Sequence, residues 1–277
     1  MIWIGEGDLG SLVTPEEALV SALDHGITVG DGVFETLKVD NGQAFALSRH
    51  LRRLERSAAV LGLSLPSNDV IRMAVDEVLM ANAATLRGQV RLRITVTGGL
   101  GPLGIDRGHR GSTLIVAVMS STQWPQSAEV VTVPWSRNER SAITGAKTIS
   151  YAENIVAMSY ARERGASEAI FANTQGNLCE GTGSNVFVVV DGVTMTPPLT
   201  SGCLAGITRE LVLEWTPALE RELPLDILQS AQEIFLTSST RDVHPVTRVD
   251  DRVLGIGSAT TTIRDAFLAA SAADIDP

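Results

Sequence analysis

A chain of 277 residues with 44% hydrophobic content can bury one large core or two smaller ones. Its formal net charge of −10 repels a nucleic-acid backbone, and no long basic run offsets that field. The opening residues, MIWIGEGDLG, lack the basic and apolar regions of a secretion signal, and no apolar run reaches membrane-spanning length. A cytoplasmic globular protein is therefore expected, with neither nucleic acid nor membrane as partner. Cys179 and Cys203 are too few for a disulfide framework, have no metal-ligand pattern around them, and read as reduced packing residues.

In chain order, IWIGEG reads as a short strand, and residues 27–29 as another that runs into the glycine turn at Gly30, Asp31 and Gly32. Residues 33–39 alternate as a half-buried strand, and Asp40-Asn41-Gly42 closes a hairpin. Ser48 is placed to cap a helix that runs to Gly62, with Leu51, Leu54, Ala58 and Leu61 on its apolar face and Arg49, Arg52 and Arg56 on a solvated one. A second helix, residues 69–80, precedes a strand at residues 89–96, and TGGLGPLGIDRG is a loop by composition. The continuous apolar run at residues 113–119 predicts a buried strand, and SSTQWPQSA reads as a connection between domains. The expected division is a small α/β domain at 1–119, a linker at 120–128 and a larger domain at 129–277.

The larger domain opens with a strand at residues 129–133. Ser150 and Glu153 form a capping box for a helix from Tyr151 to Arg164 that Gly165 ends, which places Lys147 on a strand end or turn just before it. Strands follow at residues 168–172 and 178–180, on either side of a turn, and at 186–190 before a hairpin at Asp191-Gly192. A helix starts near Ile207, residues 233–237 read as a strand with SSTRDVHPV as its exit loop, and residues 258–270 form an amphipathic helix.

Three features of this larger domain carry chemistry. A desolvated lysine such as Lys147 can act as an amine nucleophile and proton shuttle. Glu180 places an acid on a turn between two strand-like runs, and Gly206-Ile207-Thr208-Arg209 opens a helix whose first N–H groups suit an anion. Amine, acid and anion cup are what a pyridoxal phosphate site needs. In their order, KTISY, the NLCEGTGSNVF run after Gly176, TPPL and LAGITR resemble the fold type IV pyridoxal phosphate enzymes, the family of branched-chain and D-amino acid aminotransferases and 4-amino-4-deoxychorismate lyase. The block DHGITVGDGVFETLKV resembles the family's N-terminal signature, and weaker matches extend from about residue 24 to 250.

The resemblance implies a two-domain α/β (α+β) fold with the site at the domain interface, a homodimer, pyridoxal 5′-phosphate as cofactor and a small-molecule amine as substrate. It makes Lys147 the catalytic residue that bonds the cofactor and Glu180 the partner of its pyridine nitrogen, supported by Ser184 and Asn185. Arg53, in an H-x-x-R-L motif, would contact the phosphate, together with the cup at Leu204, Gly206, Ile207 and Thr208 and the hydroxyls of Ser238 and Ser239. Tyr151 stands one residue short of the tyrosine that bonds the phenolic oxygen in branched-chain enzymes, and Val29 replaces their aromatic residue before the first signature glycine. Arg107 is the nearest substitute for the arginine that grips the substrate carboxylate in relatives, with Arg91 and Arg93 as others, while His25, His50 and His244 need no role. KTISYAENI and the lack of the arginine–histidine pair of D-amino acid enzymes favour a lyase that releases pyruvate and 4-aminobenzoate for folate synthesis. An aminotransferase acting on D-amino acids or branched-chain amino acids is the alternative.

Overall fold

The structure is a computed structural model that describes residues 1–108 and 110–277. It divides into two compact units, one of residues 1–123, 146–150 and 275–277, the other of residues 124–145 and 151–274. The units are thus not consecutive stretches, as the division at 120–128 assumes. Residues 146–150 group with the first unit because they hydrogen-bond to its backbone: Phe34 N–H donates to Lys147 O and Ile149 N–H to Gly32 O, both at 3.0 Å.

The first unit contains β1 (Ile2–Glu6), β2 (Leu9–Val13), α1 (His25–Thr28), β3 (Gly32–Asp40), β4 (Gln43–Ala44), α2 (Leu47–Leu61), α3 (Asn68–Asn82), β5 (Gln89–Thr97) and β6 (Thr113–Ser121). Its strands form one sheet in the order β2-β1-β6-β5-β3-β4, with every pairing antiparallel. Alternation sends Val33 and Leu37, Leu92 and Ile94, and Leu114 and Val116 to one face, where Leu51, Leu54 and Ala58 of α2 and Ile71, Val75 and Val78 of α3 complete the core. Strand β6 is therefore buried on one face only, and its Met119 is 63% exposed, where the apolar run alone predicts burial throughout.

Two local expectations fail for identifiable reasons. Residues 27–29 are not a strand, because Asp24 accepts a hydrogen bond from Gly26 N–H at 2.7 Å and caps the short helix α1. Ser48 does not cap α2, since it lies inside the first turn. The cap position is Ala46, in the left-handed region with φ 54°, and it has no side chain to offer. The missing acceptor comes from far along the chain: Asp276 takes the Ser48 N–H at 2.7 Å as well as its hydroxyl, Ala46 N–H donates to Ile275 O, and Arg49 Nε donates to Pro277 O. Gly62 ends α2 with φ 60°, as expected of a glycine after a helix.

The second unit contains β7 (Ala128–Arg137), α4 (Ala152–Glu163), β8 (Glu168–Asn173), β9 (Leu178–Gly181), β10 (Asn185–Val190), β11 (Val193–Thr196), α5 (Ile207–Trp215), β12 (Leu219–Glu220), β13 (Glu233–Ser238), β14 (Asp242–Val249), β15 (Arg252–Val253) and α6 (Ser258–Ala273). The sheet order is β12-β11-β10-β13-β14-β7-β8-β9, with β15 paired to β14, and the β14–β7 and β7–β8 contacts are parallel. Val186, Val188, Ile234 and Leu236 share one apolar face, and on the other the rings of Phe187 and Phe235 stack at 4.8 Å. SSTRDVHPV is not an exit loop. Residues 242–249 form β14, with Pro245 opposite Phe235, so proline here sits within a strand and not at its end. The expected capping box is also absent: Ser150 donates its hydroxyl to Gly30 O and Glu153 pairs with Arg137, while Tyr151 occupies the cap position of α4 without a side-chain bond to the helix start. Gly165 follows that helix with φ 67°. Both cysteines are buried and unbridged, and burial raises both thiols, that of Cys203 to about 11. Among the described residues, no helix is long and apolar enough to cross a membrane.

Asp276→Ala removes the acceptor at the start of α2 and should cost about 1 kcal/mol of stability. The midpoint of urea unfolding should fall accordingly, and an unchanged midpoint would show that α2 needs no cap from residues 275–277.

Candidate active site

Lys147 sits in the first unit beside β3, in an irregular segment that a single bridge joins to that strand. Its carbonyl accepts from Phe34 N–H, its own N–H donates to Ser57 Oγ on α2 at 3.0 Å, and Thr148 bridges to Val33. With its peptide held on both sides, the side chain leaves from a fixed Cα, and Nζ lies 4.5 Å from the centre of the Phe34 ring. Arg93, next along the sheet on β5, stacks its guanidinium on the same ring at 3.8 Å.

Behind this face lies a buried polar cluster. Arg53 is 4% exposed and forks onto Glu35, with Nε to Oε1 at 2.8 Å and Nη2 to Oε2 at 2.6 Å, while His50 Nδ1 meets the same Oε2 at 2.6 Å. Burial by itself would raise the Glu35 carboxyl, but the charges and hydrogen bonds of Arg53 and His50 outweigh it and hold the group down at about 2. His50 is lowered, chiefly by burial and against the pull of Glu35, with Arg53 and Lys147 contributing as nearby positive charges. Arg53 is thus not on the solvated face of α2 that its neighbours Arg52 and Arg56 occupy. Glu35 and His50 were not singled out from the sequence, although a signal existed: an acid at the inward-facing position between Val33 and Leu37 breaks the apolar alternation of β3.

In the second unit, Glu180 and Asn185 fix the backbone of one residue, Leu204, at its N–H and at its carbonyl. Glu180 Oε2 accepts from Leu204 N–H and Asn185 Nδ2 donates to Leu204 O, both at 2.8 Å, and Glu180 Oε1 lies 3.4 Å from Arg137 Nε. Gly206 follows as the cap residue of α5 because a Cβ there would lie 1.9 Å from Asn185 Oδ1. Its N–H turns back to Leu204 O, so Ile207 and Thr208, not Gly206, are the residues whose N–H groups open the helix. Asn185 pairs with Thr237, and Ser238 and Ser239 continue from there as β13 ends beside that helix start. The structure places Ser184 elsewhere: its hydroxyl donates to the buried Glu168 at 3.3 Å, a carboxyl raised by burial against the pull of Arg241 at 3.0 Å.

Three further residues singled out in the sequence are placed as follows. Arg107 is a clamp within the first unit, bidentate to Asp31 at 2.6 Å through both Nε and Nη2 and bonded to the carbonyls of Leu61 and Gly62. Val29 ends α1 and is 44% exposed. Tyr151 belongs to the second unit, one residue beyond the segment that carries Lys147. Arg137, which reaches Glu180, Glu153 and Asn154 and stacks on Phe171 at 4.4 Å, was missed; an arginine ending a strand carries no distinctive sequence signal.

The first unit thus holds a lysine amine on a fixed backbone, and the second holds a pinned carboxylate and a helix start suited to an anion. The amino-transferase class IV family model matches residues 32–249, and the chain belongs to that family. A putative branched-chain-amino-acid aminotransferase of Methanocaldococcus jannaschii is 32% identical over 93% of this chain and 93% of its own length, and a D-alanine aminotransferase of Bacillus licheniformis is 31% identical over 90% and 89%. The fold IV-transaminase of Curtobacterium pusillum superposes with a TM-score of 0.87 at 31% identity, covering 98% and 99% of the two chains, and the Escherichia coli branched-chain aminotransferase with 0.89 at 26%, covering 97% and 93%. A hypothetical aminotransferase from Mycobacterium tuberculosis, 27% identical with a TM-score of 0.85, is known in a PLP-bound form and covers 97% and 98%. The fold is that of the fold type IV enzymes, and the cofactor is pyridoxal 5′-phosphate. These findings back the aminotransferase alternative better than the lyase reading.

Glu35 contributes stability that is fully present above the ordinary carboxylate value of 4.5 and is lost as the pH falls towards about 2. The stability gap between wild type and Glu35→Gln should therefore narrow as the pH drops from 5 to 3. Unfolding curves at those two pH values check this, and a constant gap would deny the pairing.

Proposed function

We propose that this chain is an aminotransferase of α-amino acids, working as a homodimer, in which Lys147 bonds the cofactor and moves the proton. The observation that carries this reading is the Lys147 backbone, fixed at its N–H by Ser57 and at its carbonyl by Phe34 N–H, with Nζ 4.5 Å from the centre of the Phe34 ring. The donor set fits pyridoxal phosphate: an amine for its aldehyde, Glu180 for its ring nitrogen, and Arg53, Thr208, Ser238, Ser239 and the first N–H groups of α5 for its phosphate. When bound, the cofactor supplies an electron sink for the pair left behind as the α-proton departs.

The protein's own residues do the rest. Lys147 Nζ accepts the proton from the amine-bearing carbon of the substrate and gives it up again later in the same half-reaction. Glu180, held by Leu204 N–H and Arg137, keeps a negative charge beside the ring nitrogen and so favours its protonated form. Asn185 keeps the approach to α5 in place through its bond to Leu204 O. For the substrate carboxylate, Arg93 is favoured over Arg107, because Arg93 is exposed and shares the Phe34 ring with Lys147.

The test is a pair of half-reactions. Mixed with D-alanine, L-leucine or another amino acid and no acceptor, the holoenzyme should convert one equivalent of cofactor to its aminated form and stop, and a 2-oxo acid should restart it. Lys147→Ala should lower kcat by about a thousandfold, and Arg93→Ala should raise KM for the amino acid about tenfold with a smaller effect on kcat. Sustained turnover of a donor without any acceptor would contradict the aminotransferase reading.

A further inference from the structure

Glu35 is 0% exposed on the inward face of β3 between Val33 and Leu37; removing it alone would leave Arg53 buried and unpaired, but replacing the two together by apolar residues of similar size would serve the core as well or better. Stability therefore does not account for a buried Glu35–Arg53 pair, whereas orientation does. By engaging both Nε and Nη2 of Arg53, the carboxylate fixes the plane of the guanidinium and with it the direction of the third nitrogen, Nη1. His50 Nδ1 holds the carboxylate in turn, so the glutamate cannot swing away with its partner.

The same two elements also hold the lysine. Strand β3 carries Glu35 and, one residue earlier, Phe34, whose N–H fixes Lys147 O; helix α2 carries Arg53 and, one turn later, Ser57, which fixes Lys147 N–H. Arg53 and Lys147 are thus set against one frame, and a ligand bearing both a carbonyl and a phosphate would meet two groups whose spacing is fixed. We propose that Glu35 is a positioning residue that aims Arg53 at the phosphate of the bound cofactor, so that phosphate recognition depends on the carboxylate although it never touches the ligand. This rests on the reading above that Arg53 meets that phosphate.

The readout is the ratio of affinities for pyridoxal phosphate and pyridoxal. Apoprotein is titrated with each, following the visible band of the lysine-bound cofactor, for wild type, Glu35→Gln and Glu35→Asp. Wild type should prefer the phosphorylated form, and that preference should fall about tenfold or more in Glu35→Gln, with pyridoxal affinity little changed. Glu35→Asp, which keeps the charge but withdraws it by one methylene, should show a similar fall and serves as the folded variant if Glu35→Gln does not fold. Equal weakening of both ligands, or a preference retained in both variants, overturns the proposal while leaving the cofactor reading intact. A wild type with no preference for the phosphorylated form overturns the role of Arg53 and this proposal with it, and a wild type with no visible band overturns the assignment of Lys147 and therefore everything built on it.

Discussion

The placement of Lys147 depends on two backbone hydrogen bonds, from Phe34 N–H to Lys147 O and from Ile149 N–H to Gly32 O, which turn a five-residue segment from the middle of the chain into a neighbour of β3. A lysine side chain has four rotatable carbons and loses up to about 2 kcal/mol of rotamer entropy when fixed. Fixing its peptide first leaves only the side chain to be ordered by a ligand. Ser57 adds a third bond from α2, and Ser150 a fourth to Gly30 O, where the positive φ of 70° lets the chain turn close beneath it. The irregular segment that carries the amine is thus tied by hydrogen bonds to β3 and α2, an arrangement that keeps reacting atoms at constant spacing.

A second peptide is treated in the same way in the other unit. Leu204 has its N–H taken by Glu180 and its carbonyl by Asn185, so the approach to α5 is fixed before any anion arrives. The carboxylate and the helix start are coupled through that one residue. Displacing Glu180 frees Leu204 N–H, and adding a Cβ at Gly206 drives against Asn185 Oδ1. In both units, then, groups that carry charge are positioned by neighbours that bond to the backbone, and the chemistry rests on peptides held from two sides.

Much of the frame was legible from residue order. Helix α2 follows from the spacing of Leu51, Leu54 and Ala58 and ends at Gly62, and strands β3, β5, β10 and β13 follow from alternation or β-branched runs. The errors share one cause, which is that a partner distant in sequence overrides a local signal. Ser48 looks like a cap but Asp276 supplies the acceptor, Ser150 looks like half of a capping box but bonds to Gly30, and Pro245 looks like a loop residue but pairs across from Phe235. Lys147, Glu180 and the start of α5 stand out in the sequence because they are carried by contiguous motifs. Glu35, His50 and Arg137 do not, because their meaning lies in what they touch. The assignment of 4-amino-4-deoxychorismate lyase chemistry leaned on KTISYAENI and on the absence of a loop pair, and the relatives point to amino-group transfer instead.

The central claim is that the Lys147 amine bears the cofactor, and the composition makes it unusually easy to test. The chain contains two lysines, Lys147 and Lys38, the latter with its Nζ 4.5 Å from the centre of the Phe45 ring. Reduction of the holoenzyme with borohydride, followed by proteolysis and mass mapping, places a reduced cofactor label on one of them. A label confined to the peptide that contains Lys147 is the predicted result; a label on Lys38, or none on either, would contradict the account.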